Sequence, residues 1–140
     1  MIFNKSFLLV TALLTGALAE CGTPEVTCET SDGSPNFDDA NTAMGYWREL
    51  QSNTADSCGD AGCAQPHGSG CHDQGGTFKT AKIVLCQNDS SASTPECADC
   101  TCVAGYLQAV LDQCESNGKV GGYAHVDRGG NYINFEFVHT

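Results

Sequence analysis

Basic side chains are scarce in this chain: its 140 residues hold six Lys and Arg against 17 Asp and Glu, for a formal net charge of -11. So acidic a surface repels polyanions, which sets nucleic acid and anionic lipid aside as partners. Long hydrophobic runs are missing too. The apolar stretch at residues 7–14 is well short of the roughly 20 residues a spanning helix needs, and no later stretch approaches that length, so membrane insertion is not expected. No serine sits in a nucleophile elbow, no glycine-rich phosphate loop follows a strand, and the carboxylates are scattered rather than paired among apolar residues. There is no internal repeat, linker or low-complexity tract, and nothing in the pattern calls for a cofactor. The length leaves room for one domain around one core.

Cysteine, by contrast, is abundant. All ten cysteines, Cys21, Cys28, Cys58, Cys63, Cys71, Cys86, Cys97, Cys100, Cys102 and Cys114, follow residues 1–19, where Lys5, an apolar run and the small-residue end Ala17-Leu18-Ala19 have the form of a secretory signal peptide cleaved before Glu20. Residues 20–140 are then an exported domain in which five basic residues face 17 acidic ones, a net charge of -12 over 121 residues. An even cysteine count behind a signal peptide implies a disulfide framework of up to five bridges, with its connectivity left open. Cys100 and Cys102 are too close to bridge each other, so each ties the start of a helix to a separate partner, and Cys114 anchors that helix's other end. Cys63-x3-His67-x3-Cys71-His72 and Cys97-x2-Cys100-x-Cys102 also offer zinc-ligand types at tolerable spacing. An oxidising compartment favours disulfides over metal for these thiols, and no metal site is expected. Asn88-Asp89-Ser90 is the one glycosylation sequon after the leader.

Hydrophobic periodicity predicts a short strand at 25–29 and then a helix over 35–51. Ser34-Pro35 opens that helix, Asp38 and Asp39 suit its dipole, and Phe37, Ala40, Met44, Trp47 and Leu50 form one apolar stripe that Gly45 weakens. Trp47 belongs to the core in this reading, and Arg48 pairs with a nearby acid. Residues 52–76, rich in Gly, Ser, Asp, Cys and His, are a stapled loop with His67 and His72 in solvent. A strand follows at 77–86, a polar loop at 88–95, and a second helix at 101–115 with Val103, Leu107, Val110 and Cys114 on one face and Asn117-Gly118 as its left-handed stop. The tail is a hairpin, 120–127 with 131–139, turning at Arg128-Gly129-Gly130. The order β-α-β-α-β-β implies an α+β protein: a two-layer α/β sandwich, an antiparallel sheet of about four strands with two helices on one face, stapled by disulfides.

The hairpin carries Tyr123, His125, Arg128, Glu136 and His139, a set that resembles that of secreted fungal ribonucleases, where a Tyr-x-His strand faces a Glu and an Arg. Acid–base cleavage of RNA needs His125 and a carboxylate on the same side of the sheet. If Asp127 pairs with Asn131, Tyr123 and His125 fall on the apolar face and Glu136 on the other; a one-residue bulge reverses this.

Taken together the pattern resembles fungal small cysteine-rich secreted effectors. Thr30-Ser-Asp-Gly-Ser-Pro35 leading into an amphipathic helix, and Asn117-Gly-Lys-Val-Gly-Gly122 followed by a strand ending Glu136-Phe-Val-His-Thr140, are similar to the necrosis-inducing extracellular effectors of leaf-mould fungi, which are related in style to virally encoded smut killer toxins. Trp47-Arg48-Glu49-Leu50-Gln51 is similar to the Trp-Arg motif of Leptosphaeria-type avirulence effectors. The resemblance implies a monomeric virulence or avirulence protein of the host apoplast or cell interior, which binds a host protein such as an immune receptor and carries no catalytic residue. A killer-like toxin and a secreted ribonuclease-like enzyme are the alternatives.

Overall fold

A computed structural model describes residues 21, 23–52, 70–87, 100–128 and 131–140. The leader, Asn88, His67, Cys58, Cys63, Cys97 and the side chain of Cys100 lie outside what it describes. The elements in chain order are β1 (Glu25–Cys28), α1 (Phe37–Ala43), α2 (Gly45–Ser52), β2 (Gly70–Phe78), β3 (Ala81–Gln87), α3 (Cys100–Cys114), β4 (Glu115–Ser116), β5 (Lys119–Val120), β6 (Gly122–Arg128) and β7 (Asn131–His139).

The sandwich expected from the element order is overturned. Antiparallel sheet dominates the described residues: five strands pair in the order β1-β6-β7-β3-β2, and β4 with β5 forms a separate two-stranded ladder. The sheet thus has five strands rather than about four, and two short helices replace the long first one.

Two local causes account for the difference. The predicted helix is interrupted at Met44, ahead of the weak helix former Gly45, and Trp47 N donates to Met44 O at 3.0 Å as α2 starts afresh. Ala40, Met44 and Trp47 are all in the core, as the single stripe predicts. Strand β2, Gly-Cys-His-Asp-Gln-Gly-Gly-Thr-Phe, has the composition of a loop. It is a strand because β3 supplies its ladder, the register absorbs an irregularity between Asp73 and Thr77, and Gly75 and Gly76 take positive φ there. Lys79, at φ 47, and Thr80 turn the chain between Phe78 and Ala81, within the stretch predicted as one strand.

Ile83 and Leu85 of β3, Ile133, Phe135 and Phe137 of β7, and Ala124 of β6 share one face of the sheet and are each at most 3% exposed. Val103, Tyr106, Leu107, Val110 and Leu111 of α3 complete the core with residues of α1 and α2. The predicted α3 stripe is therefore widened by Tyr106 and Leu111, and the Tyr106 ring packs at 5.6 Å from Phe135. Asn117 and Gly118 are left-handed as expected, serving as the turn between β4 and β5.

Three bridges lie among the described residues. Cys21–Cys102 and Cys28–Cys114 fasten the N-terminal segment to the two ends of α3, and Cys71–Cys86 crosses directly between β2 and β3. The Tyr106 hydroxyl donates to the Cys21 carbonyl beside the first bridge. At the start of α1, Asn36 is the cap residue without a side-chain cap bond, and Thr80 Oγ1 instead accepts from Asn36 N at 3.0 Å and donates to Asp39 Oδ2 at 2.7 Å. That bond, chiefly, holds the Asp39 carboxyl below its ordinary range. No described helix is long and apolar enough to cross a membrane.

Gly122 lets β1 join the sheet. It sits at φ +133, and a Cβ there would strike the Thr27 carbonyl oxygen and stand 2.9 Å from Cys28 Cα. Gly122→Ala is expected to cost about 2–4 kcal/mol, from backbone strain together with loss of the β1 pairing. Chemical denaturation checks this, with wild-type stability as the contrary result.

Candidate functional site

The pairing of β6 with β7 decides what the protein presents to solvent. Asp127 pairs with Tyr132, His125 with Asn134 and Tyr123 with Glu136. The register differs by one residue from the pairing of Asp127 with Asn131, so Tyr123 and His125 leave the apolar face and stand with Glu136 on the opposite, outer face. Ala124 takes the core position beside Phe135. Small Ala124 and half-buried Val126 against Phe135 and Ile133 suit that face better than the polar His125.

Across the outer face, rows of side chains run over neighbouring strands. One row is Thr27, Tyr123, Glu136, Val84 and Asp73; the next is Glu25, His125, Asn134 and the Cys86–Cys71 bridge. Val84 and Cys86 are buried beneath longer neighbours, whereas Tyr123, His125, Asn134 and Glu136 are half-buried and Glu25, Asp73, Asp127 and Tyr132 exposed.

His125 Nδ1 lies 2.8 Å from Asn134 Oδ1, an amide oxygen placed to accept a hydrogen bond from the ring. The His125 and Tyr132 ring centroids lie 5.2 Å apart with the planes tilted by 38°. Glu136 is pushed above its ordinary carboxylate range by burial and by the negative charge of Glu29, while the Asn134 side chain pulls the other way. Glu29, Ser31, Ser34, Glu136 and His139 line a cleft of about 280 Å³ at this edge of the face. Lys82 Nζ pairs with Asp73 Oδ1 at 2.6 Å, an exposed pair of small energetic weight.

Because the folded protein raises the Glu136 pKa, it holds that proton more tightly than the unfolded chain does. Stability from this group therefore falls as pH rises from the ordinary carboxylate range through the raised value. Glu136→Gln is expected to raise the melting temperature slightly at neutral pH, with the gain disappearing below about pH 4. Melting curves across pH check this, and a gain confined to acid pH contradicts it.

Two of the five residues of the ribonuclease-like set, Arg128 on β6 and His139 on β7, occupy the opposite parity in the register and do not join the outer row. His72, expected in solvent, is half-buried in β2 and pairs with Leu85 on the core side. Trp47 is in the core, but Arg48 donates to Asn41 Oδ1 and Gln108 Oε1, both at 2.8 Å, so its partners are amides rather than the expected acid. Both zinc-like spacings lose a thiolate to a bridge, since Cys71 is joined to Cys86 and Cys102 to Cys21. The sequence names Tyr123, His125 and Glu136 as candidates but leaves their common face to the register, and it gives no sign of Asn134 as the fourth member. The only signal of the grouping was the sensitivity of the hairpin to a one-residue shift.

No protein-family model matches the chain, and no curated protein matches it.

Proposed function

We propose that this is a secreted effector that binds a host protein through the outer face of its five-stranded sheet. The observation that carries this reading is the one-residue register of β6 and β7, which groups Tyr123, His125, Tyr132, Asn134 and Glu136 outward while Phe135 and Ala124 fix the strands from behind. Two aromatic rings, a histidine and acids on a platform stapled at Cys71–Cys86 form a preorganised surface, on which little ordering is left for binding to cost. Glu25, Asp127 and Glu136 give it the charge to meet a basic partner surface. The bridges and the lack of a membrane-crossing helix among the described residues are compatible with export, and the host apoplast or cell interior is the proposed place of action.

The test is hydrogen exchange on the intact protein with a host protein it captures. Protection on binding is expected at β6, β7 and β1; protection confined to α1, α2 and α3 contradicts the reading.

The register also favours a second reading, because it brings His125 and Glu136 to one side of the sheet, as acid–base cleavage of a phosphodiester requires. The net charge of -11 works against a polyanionic substrate. RNA that stays intact at high protein concentration removes this second reading; cleavage that His125→Ala abolishes would put it first.

A further inference from the structure

Strands β2, β3 and β7 bring together two sulfurs and a carboxylate that neither reading uses together. Cys71 and Cys86 are directly opposed and joined. On the other flank of β3, Glu136 stands one pair along, opposite Val84, and its carboxylate oxygen and the two sulfurs all lie within 4.8 Å of one another. Thiolate and carboxylate are both zinc donors, but sulfurs held in a disulfide bind no zinc.

Among the three described bridges, this is the one whose opening disturbs the fold least. It joins residues 15 apart, against 81 and 86 for the other two described bridges, and a short loop constrains the unfolded chain least. When it opens, β2 remains laddered to β3 and β3 to β7, so both sulfurs and Glu136 stay on one face. Cys71 is exposed and Cys86 buried, which directs an attacking thiolate to Cys71.

We propose that a dithiol reductant opens Cys71–Cys86 and that the freed Cys71 and Cys86 thiolates then bind one zinc ion together with Glu136. One reductant thiolate attacks Cys71 Sγ, and Cys86 leaves as thiolate and takes a proton. The second reductant thiol then displaces Cys71, so the reductant becomes a disulfide and the two cysteines gain two electrons and two protons. Zinc releases both thiol protons on binding, and its charge offsets the crowding of Glu136 by Glu29. Three protein donors leave a fourth position for water or for a side chain of a bound partner. An exported chain meets such a reductant on entering a reducing compartment, so the site is absent outside cells and forms within them.

The test treats the oxidised protein with graded dithiothreitol, removes it under argon, maps the opened cysteines by alkylation and mass spectrometry, and titrates with Co2+ and then Zn2+. Cys71 and Cys86 are expected to alkylate first. One Co2+ per chain then binds with a thiolate charge-transfer band, one Zn2+ displaces it, and the oxidised protein binds neither. Glu136→Gln, which keeps the bridge and the fold, is expected to weaken metal binding about tenfold or more, and Cys71→Ser with Cys86→Ser to abolish it. The proposal is overturned if another bridge opens first, if the reduced protein binds no metal, or if either variant binds as tightly as wild type.

Discussion

Serine at Cys21, Cys28, Cys102 and Cys114 together is expected to leave the protein unfolded at room temperature, although removing either bridge alone leaves it folded. The two bridges run in parallel, joining residues 81 and 86 apart. While one is intact, the other closes only a loop of about 20 residues, through the chain between Cys21 and Cys28 and between Cys102 and Cys114, so its removal costs about 3 kcal/mol. Once the first is gone the survivor closes the whole long loop, and its loss costs about 4.5 kcal/mol more. The sum, about 7–8 kcal/mol, is as large as the entire stability of many domains. Circular dichroism of the two double-serine variants and the quadruple variant checks this. A quadruple variant that melts cooperatively within about 3 kcal/mol of wild type contradicts it, and so places the stability elsewhere.

Phe135→Ala is expected to cost about 3–5 kcal/mol, the second largest effect. Phe135 is fully buried at the middle of β7, between Leu85 and Ala124, and against the Tyr106 ring. Its weight is informative beside a neighbour on the adjacent strand. His125→Ala is expected to cost about 1 kcal/mol, because the ring is half-exposed and loses one hydrogen bond, to Asn134. Had Asp127 paired with Asn131, His125 would lie in the core. Urea denaturation of both variants distinguishes the pairings, since comparable large losses would contradict the observed one.

Much of the fold is legible in the sequence wherever a period persists long enough to be unambiguous. α3, β1 and the two strands of the terminal hairpin fall within a residue or two of their expected bounds, and Ile133, Phe135 and Phe137 are buried as their alternation predicts. The failures are places where tertiary context outweighs local preference. β2 is a strand by virtue of its neighbour, with glycines at a bulge where a loop was expected, and its recognition alone changes the sheet from about four strands to five. The first helix is interrupted at Met44, one residue before Gly45, whose weak helix preference is legible while the interruption is not.

The outer face was hidden for a subtler reason. Strand periodicity fixes which residues alternate, yet it leaves open how β6 aligns with β7, and a shift of one position exchanges His125 for Ala124 in the core. Packing settles the choice, because Ala124 is the residue that fits against Phe135. The same shift converts a set of hairpin side chains divided between two faces into one surface that bears Tyr123, His125, Asn134 and Glu136.

The most direct measurement is the affinity of a captured host protein for wild type and for a variant carrying His125→Ala, Tyr132→Ala and Glu136→Lys, with Asp112→Asn on α3 as the comparison and melting curves to confirm folding. The three outer-face changes are expected to weaken binding about a hundredfold or more while the fold persists, as loss of central contacts does, and Asp112→Asn to leave binding unchanged. Equal affinity for wild type and the outer-face variant would contradict the assignment of this face as the binding surface.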